Sequence, residues 1–198
     1  MQFKAFSYNN ILLFLFFYLT LIIGFIYGEN LNYGSHGDWI GVNRTSIQDF
    51  SDNFNYTFLN YDDYGHRHSP IYLIFLSLFL DLGLDIDQVR FFHLHLCISL
   101  IVIFYQCLRL KFTNINNNYL FLLSLIIFLS PTFRSLAIWP DSRLPGLIFF
   151  VLTIYFFLKF RKTDNLKYTW YTCISLVVSS YISPNFSIFF PYFFFFFL

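Results

Sequence analysis

The sequence predicts an all-α integral membrane protein, a polytopic helix bundle of about five transmembrane spans. Charged residues make up only 12% of the 198-residue chain, about half of the share that is usual in soluble domains. Hydrophobic residues make up 57% and aromatic residues 25%, and the apolar residues are concentrated in long runs. Uncharged runs of this kind are typical of transmembrane helices.

The apolar runs end at polar or basic turns, which divide the chain into predicted spans. The first run is just long enough to cross a bilayer at about 1.5 Å per residue. No small-residue cleavage site follows it, so we interpret it as a retained anchor. The five predicted spans are 11–27, 91–108, 119–133, 144–160 and 168–182.

Three further segments complete the predicted organisation. A polar outer loop occupies 28–69, and an interfacial helix follows at 70–82, whose apolar stretch is too short to cross a bilayer. The segment 186–198 begins a sixth span that is interrupted by Pro191 and is too short to cross. We therefore expect a single transmembrane domain that is the N-terminal portion of a longer module and is inactive by itself.

The distribution of charged residues predicts which side of the membrane each connecting segment faces. With the N-terminus in the cytoplasm, the cytoplasmic segments contain every lysine, and their only acidic residue is Asp164. This distribution agrees with the positive-inside rule and predicts a multi-pass protein of the cell (plasma or inner) membrane. The basic residues on the predicted cytoplasmic side are Lys4, Arg109, Lys111, Lys159, Arg161, Lys162 and Lys167.

The composition also limits the classes of partner and of cysteine chemistry that we expect. The formal net charge is +1, so nothing indicates a nucleic-acid partner. The cysteines at 97, 107 and 173 lie inside apolar runs without metal-type spacing, and we interpret them as small buried side chains.

Titratable residues are concentrated in one short stretch, "NYDDYGHRHSPIYL", just before the interfacial helix. Asp62, Asp63 and His66 supply the oxygen and imidazole ligands that bind divalent metals, and Arg67 and His68 follow directly. The spacing fits no closed zinc site. A divalent metal site is therefore one interpretation, and a solvated polar loop is the other.

Two aspartates in the predicted outer segments are candidate catalytic residues. Asp38 follows the first span closely, in "YGSHGDWIG", where it could act as a general base on an acceptor hydroxyl. Asp141, in "WPDSR", either pairs with a neighbouring arginine or faces the substrate. The alternative for Asp38 is a solvated loop carboxylate.

Three arginines lie on the predicted outer face, against the positive-inside trend: Arg90, Arg134 and Arg143. Guanidinium groups bind phosphate or pyrophosphate through two parallel hydrogen bonds. The alternative is that each arginine extends to the membrane interface along its own aliphatic stem. His93 and His95 lie on opposite faces of the second span, so one can be functional while the other is a packing residue.

Short motifs between residues 68 and about 158 occur in a recognisable order. They comprise His68, Pro70, Tyr72, Gly83, Arg90, Ser130, Pro131, Pro140 and Asp141. In these motifs the chain resembles the GT-C class of membrane glycosyltransferases, and above all its aminoarabinose and dolichyl-phosphate-mannose transferase branches. It departs from that pattern at Ser69 and Ile71, which replace a proline and a leucine, and at Trp39, where a second acid is usual.

The resemblance implies inverting transfer of a sugar from a polyprenyl-phosphate carrier to an acceptor at the outer face of the membrane. It implies that Asp38 is the base, and that His68 and the outer arginines Arg90, Arg134 and Arg143 hold the substrate and its leaving phosphate. The implied partners are the polyprenyl-phosphate-linked sugar and membrane lipids. Metal dependence varies within the class, so no cofactor is required and a divalent metal stays open.

The alternative function is a non-catalytic multi-pass membrane protein, either an accessory subunit or a transporter fragment. A transporter should carry ionisable residues near the middle of its spans. Here these residues are concentrated at one predicted face, which favours surface chemistry but leaves an accessory subunit open.

Overall fold

The computed structural model describes residues 8–31, 33–66 and 68–197. Lys4 and Arg67, which enter the sequence analysis, lie outside these residues. The described part of the chain is mainly helical and contains no strand, which confirms the all-α class.

The α-helices are numbered here in chain order. They are α1 Tyr8–Ile26, α2 Tyr33–Asp38, α3 Arg44–Asp52, α4 Phe54–Leu59, α5 Ile71–Asp81, α6 Ile86–Lys111, α7 Asn117–Leu125, α8 Pro131–Ile138, α9 Arg143–Thr163, α10 Lys167–Ile182 and α11 Phe190–Phe197. A π-helical turn spans Trp39–Asn43, and 3-10 turns span Tyr61–Tyr64, Ile126–Leu129 and Pro184–Phe189.

Three helices, α1, α6 and α9, are long and apolar enough to cross a membrane, and α7 with α8 forms a bent pair that adds a fourth if it is one span. The helix at the predicted fifth span, α10, has 16 residues, whereas about 20 are needed. The membrane-spanning character of the fold is therefore supported, but the predicted number of five spans is not confirmed.

The predicted span 119–133 is not one straight helix. The chain bends by 68° between the segment Asn117–Leu129 and α8. Pro131 has no N–H to donate and its ring clashes with the preceding turn, and Ser130 before it adopts an extended conformation. The Ser130 hydroxyl accepts a hydrogen bond from the Phe133 N–H at 3.3 Å, so the new helix begins with its own cap.

The predicted outer loop is also largely helical. In its π-helical turn and in α3, the buried residues recur at the helical spacing of three to four, at Trp39, Asn43, Ser46, Ile47 and Phe50. They lie on the side of α3 and of the π-helical turn that packs into the protein, where α3 meets α5. This packing brings the polar segment into the body of the fold.

The predicted interfacial helix corresponds to α5, which has 11 residues and is too short to cross a bilayer. One side of α5 is buried through Leu73 and Leu76, and another side exposes Phe75 and Leu78. A short helix with an exposed apolar side suits the surface of a membrane.

The contacts between helices define two ends of the bundle. Asn10 of α1 donates to Asn118 of α7 at 3.1 Å, whereas the segment after α1 meets α8 through the ion pair of Glu29 with Arg134. We call the end with Glu29 and α2–α5 the polar end, and the opposite end, with the last turns of α6 and α9, the basic end. Which end faces the cytoplasm stays a prediction.

Candidate functional site

A cavity of about 490 Å³ lies at the polar end of the bundle. It joins segments that are far apart in the sequence, and it contains four of the residues singled out above together with one predicted metal ligand. Its lining residues are Asp38, Val42, Asn43, Gly65, His66, His68, Asp141, Arg143, Pro184 and Asn185.

Asp38 is the last residue of α2 and stands at the rim of this cavity. The exposed fraction of its side chain is 57%, so solvent or a ligand can reach the carboxylate. Its Oδ2 accepts a hydrogen bond from Arg143 Nη2 at 2.9 Å. The next residue, Trp39, is buried and fixes the position of the backbone beside the carboxylate.

Asp141 is buried and is held on Arg143 by three hydrogen bonds. The backbone N–H of Arg143 donates to Asp141 Oδ1 at 2.7 Å, its Nε to the same oxygen at 2.8 Å, and its Nη2 to Oδ2 at 2.7 Å. Burial raises the pKa of Asp141, but the hydrogen bonds and charge of Arg143 outweigh it, and the pKa lies below its usual value. Asp141 is thus an anion that orients Arg143, the pairing that was one of its two predicted alternatives.

His66 and His68 also line the cavity. His66 Nε2 lies 2.8 Å from the Ser46 hydroxyl, and its ring stacks on Tyr61 at a centroid distance of 4.8 Å. Burial and the neighbouring His68 lower the pKa of His66, and the charges of Asp141 and Asp38 offset only part of this effect. His66 is therefore mainly neutral at pH 7.

The main chemical feature of the cavity is that Arg143 Nη2 is shared between two carboxylates. It donates to Asp141 inside the protein and to Asp38 at the rim. The bonds to Asp141 hold the guanidinium in place, whereas the bond to the exposed Asp38 is accessible to a competing anion. A phosphate that bound Arg143 from the cavity would release the Asp38 carboxylate.

The predicted metal ligands do not all meet. His66 lines the cavity, whereas Asp62 and Asp63 are exposed on the 3-10 turn outside it. Within residues 8–31, 33–66 and 68–197, no three His, Cys, Asp or Glu side chains are grouped so that they could hold a metal ion. The divalent metal stays a prediction.

Arg90 lies beside the site and not in the wall of the cavity. Its guanidinium carbon lies 4.2 Å from the ring centroid of Trp139, 4.8 Å from Phe25 and 5.8 Å from Trp39. Its Nη1 donates to Asp87 at 2.8 Å. Arg90 thus binds the two tryptophans that flank the aspartates of the cavity, since one follows Asp38 and the other precedes Asp141 by two positions.

Arg134 forms its hydrogen bonds outside the cavity. Its Nε and Nη2 donate to the two carboxylate oxygens of Glu29 at 2.6 and 2.5 Å. Nη1 and Nη2 also donate to the hydroxyl and the carbonyl of Thr20. Arg134 does not line the cavity, and the structure gives it the role of joining α8 to the end of α1.

Both histidines at the start of α6 are engaged in packing contacts. His93 Nε2 donates to the Leu136 carbonyl at 2.8 Å and its Nδ1 is paired with the Tyr72 hydroxyl. His95 Nδ1 donates to the Phe91 carbonyl, also at 2.8 Å, and its Nε2 lies 2.9 Å from the Tyr18 hydroxyl. Since both ring nitrogens of each histidine are bonded, neither is available to a ligand.

Sequence reasoning missed two asparagines in the cavity wall. Asn43 is buried and donates to the Pro140 carbonyl at 3.0 Å, which ties the π-helical turn to the segment before Asp141. Asn185 reaches the cavity from the turn after α10. Asparagine is abundant in this chain, so its presence at these positions gave no signal.

No protein-family model matches the chain, no curated protein matches it, and no solved structure matches it.

Proposed function

We propose that the cavity at the polar end is the active site of a membrane glycosyltransferase. The reaction moves a sugar from a polyprenyl-phosphate carrier to an acceptor hydroxyl at the outer face of the membrane. The observation that carries the proposal is the convergence of Asp38, Asp141 and Arg143 with two histidines in one cavity. Beside it, α5 offers an exposed apolar side on which a lipid-linked substrate can rest.

Asp38 serves as the general base in this reaction. Its exposed carboxylate accepts the proton of the acceptor hydroxyl while the acceptor oxygen bonds to the anomeric carbon. The bond from that carbon to the phosphate oxygen breaks, and its electron pair leaves with the polyprenyl phosphate. Attack opposite the leaving group inverts the configuration of the sugar.

Arg143 couples donor binding to activation of this base. Asp141 holds its guanidinium from the buried side, and the leaving phosphate takes the position that Asp38 occupies in the unliganded site. Phosphate binding therefore releases Asp38 toward the acceptor and stabilises the charge that develops on the leaving oxygen. His66 and His68 complete the lining of the cavity around this group.

The test uses the purified chain in vesicles with a panel of polyprenyl-phosphate-linked hexoses and pentoses, and measures release of polyprenyl phosphate. Asp38→Asn should lower turnover at least about 100-fold, the lower range for general base catalysis, while donor binding is retained. Asp52→Asn is the matched control, since Asp52 is an exposed acid of the same segment outside the cavity. Equal turnover in Asp38→Asn and the control would refute the assignment of the base.

Binding of the lipid-linked sugar by the wild-type chain without any turnover would instead refute catalysis by this chain alone, and would favour either the non-catalytic alternative or the inactive N-terminal portion expected from the sequence. The same cavity would then present the carrier to another protein, as an accessory subunit does. Absence of both binding and turnover with every donor of the panel would refute the proposed substrate class.

A further inference from the structure

A second cavity lies at the basic end, far from the candidate active site. It has a volume of about 220 Å³ and opens between the last turns of α6 and α9. The two helices supply three cations to it, Arg109 from α6 and Lys159 and Lys162 from α9. Gln106, Leu110, Tyr155 and Thr163 complete the lining.

The three cations have no acidic partner in the described part of the chain. The ion pairs there involve only Arg90, Arg134 and Arg143, and all three belong to the polar end. The one described acid of the basic end, Asp164, follows α9 and makes no ion pair with them. Three unneutralised cations around one cavity repel one another, and a bound anion relieves that repulsion.

The donors suit a phosphate group. The guanidinium of Arg109 can donate two parallel hydrogen bonds to phosphate oxygens, and the lysines supply compact charges beside it. Gln106 adds an amide on the same side of α6, three residues before Arg109.

The surroundings indicate that this phosphate belongs to a lipid. The cavity lies at the ends of two helices that are long and apolar enough to span a membrane. One turn before Gln106, on the same side of α6, Val102 exposes 53% of its surface. A headgroup in the cavity therefore has an apolar helix surface directly beneath it for its acyl chain.

We propose that this cavity binds the headgroup of an anionic phospholipid. The α6–α9 pair carries the Asp141–Arg143 turn at its other end, so the lipid would fasten together the two helices that support the candidate active site. The proposal is independent of the glycosyltransferase reaction.

The experiment is a lipid titration of the delipidated, detergent-solubilised full chain, with bound lipid counted by native mass spectrometry. The probes are a phosphatidylglycerol and a phosphatidylcholine with the same acyl chains. The wild-type chain should bind one phosphatidylglycerol in preference to phosphatidylcholine. In the triple variant Arg109→Gln/Lys159→Gln/Lys162→Gln the affinity should fall on the order of 100-fold, because each cation near a lipid surface contributes about a factor of five.

The matched control is Lys111→Gln/Arg161→Gln/Lys167→Gln, which removes the same number of charges from the same end outside the cavity. It should retain most of the wild-type affinity. Equal loss in the two triple variants would overturn the proposal, since the attraction would then be diffuse. Equal binding of the two lipids by the wild-type chain would overturn it as well.

Two further measurements distinguish a lipid from a soluble anion and provide a test if the triple variant does not fold. Inorganic phosphate and glycerol 1-phosphate are added as competitors, and displacement of the lipid at equal concentration would overturn the lipid in favour of a soluble anion. If the triple variant does not fold, the single variants Arg109→Gln, Lys159→Gln and Lys162→Gln are measured. Each should lose about fivefold in affinity, and no loss in any of them would refute the site.

Discussion

The close approach of α1 to its own following segment provides a quantitative test of the fold. A Cβ added at Gly24 would lie 2.4 Å from Oε2 of Glu29 and 3.0 Å from Nη2 of Arg134. These two side chains form the ion pair that joins the end of α1 to α8, with exposed side-chain fractions of 20% and 13%. Gly24→Ala should therefore displace the carboxylate and weaken this connection.

The expected change in the unfolding free energy is the difference between two opposing contributions, the lost hydrogen bonds and the gain in helix propensity. A hydrogen bond to a charged group contributes about 2 kcal/mol, and alanine gains about 1 kcal/mol over glycine inside a helix. Gly24→Ala should then lower the unfolding free energy by about 1 kcal/mol if one of the two Arg134–Glu29 bonds is lost and by about 3 kcal/mol if both are. This corresponds to about a 5- to 150-fold change in the folding equilibrium constant.

The assay is reversible unfolding in mixed micelles with increasing SDS, followed by helical circular dichroism. Gly41→Ala is the matched control, because a Cβ there meets nothing within 4 Å, and it should be neutral or stabilising. In a Glu29→Ala/Arg134→Ala background, Gly24→Ala should lose its destabilising effect. A wild-type stability for Gly24→Ala, or an equal loss in both backgrounds, would refute the reasoning.

Three further predictions test other parts of the molecule. An impermeant thiol reagent applied from outside should label Asp63→Cys and leave Lys111→Cys unlabelled, because the charges place them on opposite sides of the membrane. Gly146→Ala should destabilise the protein by about 1–3 kcal/mol, because its Cβ would lie 2.7 Å from Ser183 Cβ. The pKa of His66 is lower in the folded chain than its ordinary 6.5, mainly because the ring is buried, so the folded state binds fewer protons than the unfolded state and loses stability as the pH falls below that ordinary value.

Each of these has its own control. Labelling uses a Cys173→Ser background, since Cys173 is the exposed cysteine among the three, and labelling of both new cysteines from one side would contradict the topology. For Gly146→Ala, an SDS midpoint equal to that of Gly41→Ala would show that α9 and α10 are not in close contact there. For the pH effect, His66→Gln should give a flatter dependence of the unfolding free energy on pH, and an unchanged slope would assign the effect to other groups.

Several residues of the candidate site could be predicted from the sequence one at a time, but their meeting in one cavity could not. Asp38, Asp141, His68 and Arg143 were singled out one by one, and the structure brings them to one cavity. Arg134 was singled out on the same grounds as Arg143, yet it binds Glu29 instead. Both arginines follow α7 in the chain, and the choice of partner depends on which carboxylate each helix end meets in the packed bundle.

The sequence by itself determined the helical class, the membrane character and the short length of α5. These features depend on local composition and on the length of apolar runs, and Pro131 alone is sufficient to end a helix. Only the tertiary structure revealed the helices between 28 and 69, because four of the seven buried positions described in this range, Ser35, Asn43, Ser46 and Thr57, are polar and conceal the apolar period. The meeting of Asp38 with Arg143, 105 positions apart, likewise required the packed bundle, since an ion pair between distant residues forms only where helix packing brings their side chains within reach.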